Sequence, residues 1–213
     1  MPNVLVLSFE GFSFSSRQLY EHLSPKLLSR AAVHESLTVE DALHWIHSGW
    51  PNVVLVTDSV ISLEEHQNLL ITLVDYTKHG CITVLVGLFA PTVELDRLDG
   101  LFNSFGLQWR AGSIAQHRTK LVGSIDKNII RIDSLVASFD AEALFLADGV
   151  STEQVLYQAA GVDAWGVYAA FGRVGLGKLG YVGDTGYGEE AERLILSMCH
   201  LDRPEERLQA GVL

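Results

Sequence analysis

Only two cysteines occur in the chain, Cys81 and Cys199, which leaves neither a disulfide framework nor a local thiolate metal pair. Basic side chains are scarce as well. Fifteen Lys and Arg stand against 26 Asp and Glu, a net charge of −11, so the cationic stripe that a nucleic-acid backbone requires is missing. No apolar run approaches the roughly 18 residues needed to cross a bilayer. Met1-Pro-Asn-Val-Leu-Val-Leu7 has no cationic segment or long apolar core, so it is expected to be a first strand, not a secretory leader, in a cytoplasmic protein. G-x-S-x-G, H-E-x-x-H and H-x-x-x-H are all absent, which removes an ordinary hydrolase elbow and any local zinc motif. No cofactor or metal is called for.

What is present is an α/β pattern. Val4 to Phe9, Asn52 to Thr57 and Cys81 to Gly87 are continuous apolar runs, as expected for strands buried on both faces. A short strand is expected at His34 to Leu37. Between these runs lie helical patterns near Arg17 to Ala31, from Thr38 to Gly49, from a Ser62-to-Glu65 capping box to His79, and over roughly 92–105. Alternating strands and helices build a parallel sheet covered on both sides. From residue 107 the helical period fades. Shorter strands are expected at Gln116 to Val122, Asn128 to Ile132 and Ala143 to Leu146. A hairpin is expected over Ala164 to Val182, turning at Gly175-Leu-Gly177, and a last helix from Glu189 to Leu201. The expected architecture is one domain over residues 1–213, a flavodoxin-like three-layer α/β sandwich. Its sheet would be mostly parallel, with an added antiparallel region in the carboxyl half and a frayed tail over 202–213.

Two glycine patterns bear on function. Gly175-Leu-Gly177-Lys-Leu-Gly180 matches a dinucleotide fingerprint literally, but it precedes a strand instead of opening a helix, so it reads as a turn. Gly183-Asp184-Thr-Gly186-Tyr-Gly188 lies between a strand and a helix, as either an anion cradle or a capped turn. The three glutamates of the following turn favour the turn.

Open parallel sheets bind ligands beyond the carboxyl ends of their strands. That rule gathers Phe9, Glu10, Gly11 and Phe12 from the first strand, Asp58 and Ser59 from the second long one, Phe89 from the third, and Asp184 and Thr185 from the last. His117 and Arg118 are candidates to join them. Glu10, Asp58 or Asp184 would act as acid or base, and Arg118 would orient a carboxylate or enolate. Phe9, Phe12, Phe14 and Phe89 would offer stacking surface. Equally, Arg118 and these carboxylates would serve as structural ion pairs.

The order of elements, the turn at Gly87-Leu-Phe89 and the Lys178-Leu-Gly-Tyr-Val-Gly-Asp184 strand resemble the class I glutamine amidotransferase-like superfamily. The closer likeness is to its ThuA-like branch and to fungal proteins of that fold. It is carried by Val56-Thr-Asp58, Phe102-Asn-Ser-Phe-Gly-Leu-Gln-Trp109, His117-Arg-Thr119 and Tyr181-Val-Gly-Asp184. In the amidotransferases a cysteine occupies the turn after the third long strand, and a His-x-Glu pair follows a late strand. Here Phe89 and Gly183-Asp184-Thr-Gly186 stand at those places. The resemblance therefore implies a fold without glutaminase chemistry, because a phenylalanine supplies no nucleophile. Two readings follow: a binder of a small organic molecule with acid–base capacity, or a catalytically silent docking module, with a homodimer as one arrangement.

Overall fold

The computed structural model describes residues 1–10, 20, 22–125 and 129–203. The strands are β1 (Asn3–Leu7), β2 (Ala32–Ser36), β3 (Val53–Val56), β4 (Ile82–Leu85), β5 (Arg110–Leu121), β6 (Ser138–Asp148), β7 (Val155–Ala160), β8 (Val167–Val174) and β9 (Gly177–Val182). The helices are α1 (Leu23–Arg30), α2 (Val39–His47), α3 (Gln67–Lys78), the single turn α4 (Phe89–Thr92), α5 (Leu95–Ser104) and α6 (Glu189–Met198).

All nine strands join one sheet in the order β2-β1-β3-β4-β9-β8-β6-β5-β7. Strands β1 to β4 and β9 pair in parallel, and their side chains alternate between two cores. Val4, Val6 and Leu55 face one core, with Leu23 and Leu27 of α1 and Leu194, Ile195 and Met198 of α6. Leu5, Leu7 and Val54 face the other, with Ile46 of α2, Leu73 of α3 and Phe102 of α5. This two-sided burial explains why these segments read as unbroken apolar runs.

The mostly parallel, flavodoxin-like sandwich is not what the chain forms. Antiparallel pairings outnumber parallel ones, five to four. The last strand in the order, β7, also turns back to pair with β8, so β8, β6, β5 and β7 close into an antiparallel barrel. Strand length is the physical cause. β5 has 12 residues and β6 has 11, far longer than the segments expected there, so twist accumulates along them until the sheet coils. An irregularity between Arg110 and Ile114 sharpens the bend. Glycine makes the close approach possible, because a Cβ on Gly112 would lie 2.5 Å from the Phe145 carbonyl oxygen.

Smaller differences have local causes. Ser62 and Glu65 form no capping box. Asp58 accepts from Val60 N–H, the Ser62 hydroxyl donates to Ser59 C=O, and two 3-10 turns precede α3. The helix expected over roughly 92–105 forms as α5, starting at Leu95, with the separate turn α4 before it. No strand forms over Ile129–Ile132, where the Ile129 and Arg131 carbonyls accept from Lys178 and Ser197 side chains; Asn128 lies outside the described residues. So does the expected tail from residue 204 onward. Thr38 caps α2 as expected, and the β8–β9 turn falls at Gly175-Leu176, where Leu176 N–H reaches the Lys78 carbonyl at the end of α3. No described helix is long and apolar enough to cross a membrane.

His200, just beyond α6, adopts the left-handed conformation usual for glycine, with φ +56°. Lys178 Nζ donates to its Nε2 at 2.7 Å, which needs a neutral imidazole. Burial, then the charges of Lys178 and Arg131, push its pKa down to about 4 from 6.5. A depressed histidine stabilises the fold above its unfolded pKa, and that contribution is lost as pH falls from about 6.5 towards 4. His200→Gly is expected to remove this loss and relieve the backbone. Chemical denaturation across that window should show the variant gaining on wild type as pH falls.

Candidate functional site

The carboxyl ends of β3, β4 and β9 bring Asp58, Gly87 and Asp184 to one rim of the sheet. Asp58 and Asp184 stand on either side of β4, two strand spacings or roughly 10 Å apart. They serve different faces. The neighbours of Asp58 pack into the α2, α3 and α5 core, whereas Asp184 looks towards tyrosines of the α1 and α6 core.

Around Asp58 the groups are already committed. Its Oδ2 accepts Phe9 N–H at 2.5 Å and Glu10 N–H at 3.2 Å, and its Oδ1 accepts Val60 N–H at 3.2 Å. Burial raises its pKa against these three donors. The Ser59 hydroxyl accepts from Thr92 at 3.0 Å. Phe89 is fully buried in the second core, and the left-handed backbone of the turn falls at Gly87, φ +67°, two residues earlier. The turn therefore presents no side chain from position 89. Phe9 is half-buried and the Glu10 side chain is exposed, while Gly11, Phe12 and Phe14 lie outside the described residues.

Asp184 is different. It is 4% exposed, and its Oδ2 accepts Tyr187 N–H at 2.6 Å inside the Gly183–Gly188 loop, which is thus a capped turn. Burial, against the lowering effects of Tyr187, Tyr168 and Gly186, pushes its pKa up to about 6. An antiparallel bridge to Ala143 and the bond from Thr185 N–H to Glu142 C=O, 3.0 Å, fix the segment against β6. The Thr185 hydroxyl is spent on the same carbonyl.

Three tyrosines surround this carboxyl. Tyr20 meets the ring of Tyr187 edge-on at 5.5 Å, and Gly87 N–H is turned to its oxygen. Tyr168, on β8, is fully buried with its ring fixed edge-on against Phe139 at 5.3 Å and Tyr157 at 6.1 Å. Burial first and the Asp184 charge second hold both Tyr20 and Tyr168 well above the usual phenol pKa, so both stay protonated. The Tyr168 hydroxyl is turned to the Asp184 carboxyl and lowers its pKa, and it meets no other partner among the described residues. Tyr157 and Tyr181, also buried, each donate to a backbone carbonyl at 2.7 Å.

A hollow of about 130 Å³ opens beside Asp184, lined also by Phe139, Ala141, Gly186, Gly188 and Glu190. Arg118 does not reach it. It lies on the outer face of β5, 60% exposed, 3.9 Å from Asp140 and 3.1 Å from the Ser138 hydroxyl. His117 points the other way, edge-on to Phe145 at 5.2 Å. Of the described residues selected from sequence, Asp184 is the one around which the structure gathers the tyrosines. The tyrosines were missed, although a hydroxyl-bearing side chain inside the apolar Tyr168-Ala-Ala-Phe171 run was a signal that could have been read.

No protein-family model and no curated protein matches the sequence. Solved structures do resemble the fold. A ThuA-like protein of Parabacteroides merdae superposes with TM-score 0.61 at 10% identity, covering 99% of this chain and 93% of that one. β-Galactosidases of Bacillus circulans and Halorubrum lacusprofundi superpose with TM-scores 0.60 and 0.58, each at 13% identity. This chain spans only 31% and 29% of their lengths. At such identities the likeness establishes a ThuA-like fold and nothing of the chemistry.

Proposed function

We propose that this protein is a non-glutaminase of ThuA-like fold that binds a small organic molecule beside the end of β9 and moves a proton there through Asp184. The carrying observation is a nearly buried carboxyl with a pKa of about 6, adjoining a hollow large enough for a few heavy atoms. A group with that pKa can both take and return a proton near neutrality, which suits a hydrolase, lyase or isomerase step. Phe89 at the elbow supports an acid–base route over a covalent acyl route. The Val56-Thr-Asp58 and Tyr181-Val-Gly-Asp184 resemblances support a setting in fungal metabolism, in the cytoplasm. Asp58, with three backbone donors on its carboxylate, serves as a support for the first loop.

A second reading is a silent docking module, possible as a homodimer, and one observation favours it: the elbow is sealed by the packed Phe89 ring. Native mass spectrometry separates the two. On the first reading the purified protein retains a small-molecule mass that Asp184→Asn loses. A bare chain in both proteins, at dimer mass, would support the docking module instead.

A further inference from the structure

Resting on the reading of Asp184 as a proton-transfer group, we infer that Tyr168 is its positioning residue: the phenol holds the carboxyl from the core side and never meets the ligand. Strand pairing brings the two together. Ala169 pairs with Val182, and Gly183 N–H donates to Tyr168 C=O at 3.0 Å, so Asp184 leaves the ladder one residue beyond the partner of Tyr168. The carboxyl is then held from two sides. From the loop, Tyr187 N–H donates to Oδ2 at 2.6 Å, presented by a left-handed residue, φ +56°. From β8, the Tyr168 hydroxyl is turned to the same carboxyl.

The Tyr168 ring is fully buried and meets Phe139, Tyr157 and Phe145 at 5.3, 6.1 and 6.3 Å, so it cannot follow a swinging carboxyl. Asp184 lines the hollow and Tyr168 does not, so the phenol reaches a ligand only through Asp184. A phenol can both donate and accept. It donates to the ionised carboxyl and, by rotation of its O–H alone, accepts from the protonated one. Asp184 can therefore gain and lose a proton at the hollow without changing place.

Among the described residues, the titratable groups facing Asp184 are Tyr20 ahead of α1, Tyr168 on β8, Tyr187 in the loop and Glu190 on α6, with Asp140 and Glu142 of β6 on the rim of the hollow. Glu192 faces Tyr20 and is engaged by His22 N–H at 2.7 Å and by Lys26 at 3.5 Å. Of these side chains, Tyr168 alone favours the ionised carboxyl by hydrogen bonding.

Carbon-13 NMR of the full chain, labelled at aspartate Cγ and tyrosine Cζ, tests this, with Asp184→Asn assigning the carboxyl. In wild type the Tyr168 Cζ signal is expected to move at the Asp184 midpoint, about pH 6. The Tyr157 signal should stay flat there, because its hydroxyl is spent on the Val136 carbonyl. Tyr168→Phe keeps the ring and should raise the Asp184 midpoint by about one unit, the size expected for losing one hydrogen bond to a charge. Tyr157→Phe should leave the midpoint in place. A Tyr168 signal flat through the midpoint, or an unmoved midpoint in Tyr168→Phe, overturns the role of the tyrosine. A chain that shows the coupling but retains no small molecule overturns the proton-transfer reading instead.

Discussion

Gly183→Ala is expected to destabilise the protein by about 3 kcal/mol, the upper end of the usual range for forcing a methyl into a packed interior. An added Cβ would lie 2.1 Å from the Leu144 carbonyl oxygen, and that oxygen belongs to β6 backbone, which cannot swing aside. Gly183 is held from both sides. Its carbonyl accepts Leu144 N–H at 2.8 Å and its N–H donates to Tyr168 C=O at 3.0 Å. A shift large enough to admit the methyl must break one of these and move Asp184 out of place. Urea unfolding should show a midpoint roughly 1 M lower, with loss of the retained small molecule. Gly186→Ala is the control. Its Cβ would meet nothing nearer than Asp184 Oδ1 at 3.9 Å, so wild-type stability is expected. A Gly183→Ala midpoint equal to wild type would mean that β6 and β9 do not cross this closely.

The second large effect is a gain. Burial raises Asp184 from 3.8 in the unfolded chain to about 6 in the folded one. The fold therefore favours the protonated carboxyl. Its stabilising contribution is complete below pH 3.8 and is lost as pH rises through 6. Above that, ionised Asp184 costs up to about 3 kcal/mol, the free-energy equivalent of the shift. Asp184→Asn carries no charge and keeps an oxygen for Tyr187 N–H. It should be several degrees more heat-stable than wild type at pH 7–8, indistinguishable below pH 4, and inactive in proton transfer. Stability traded against function in this way is usual for a working polar group in an apolar setting. A variant less stable than wild type at pH 8 would show that Asp184 is held as a favourable anion instead.

The legible parts of this chain were those governed by local chemistry. Val4–Leu7, Val53–Val56 and Ile82–Leu85 announce themselves as two-sided strands because every residue but Thr83 is apolar. Thr38 marks its helix because a hydroxyl is needed where the first backbone donors lack partners. The barrel was not legible. Alternation along Arg110–Leu121 says that one face is buried, but whether β7 returns to β8 depends on accumulated twist, a property of the assembled sheet and not of any short segment. The same limit applied to the site. Placing candidates at strand ends found Asp184, but the rule could not tell which face each side chain takes, and so grouped it with Asp58 and Arg118. Tyr168 escaped because it lies inside a strand, and only the neighbouring strand's end makes its hydroxyl relevant.

Ring closure at one end of the sheet also limits how chains can associate. Once β7 is bonded on both sides, two unbonded margins remain among the described strands: that of β2, where residues 32, 34 and 36 face β1 and the backbone groups of Val33 and Glu35 point outward, and the Arg110–His117 stretch of β5, which meets β7 only from Arg118 onward. The β2 margin is only five residues long, and the β5 stretch is broken by its irregularity between Arg110 and Ile114, two devices that blunt a sheet edge against pairing with another chain.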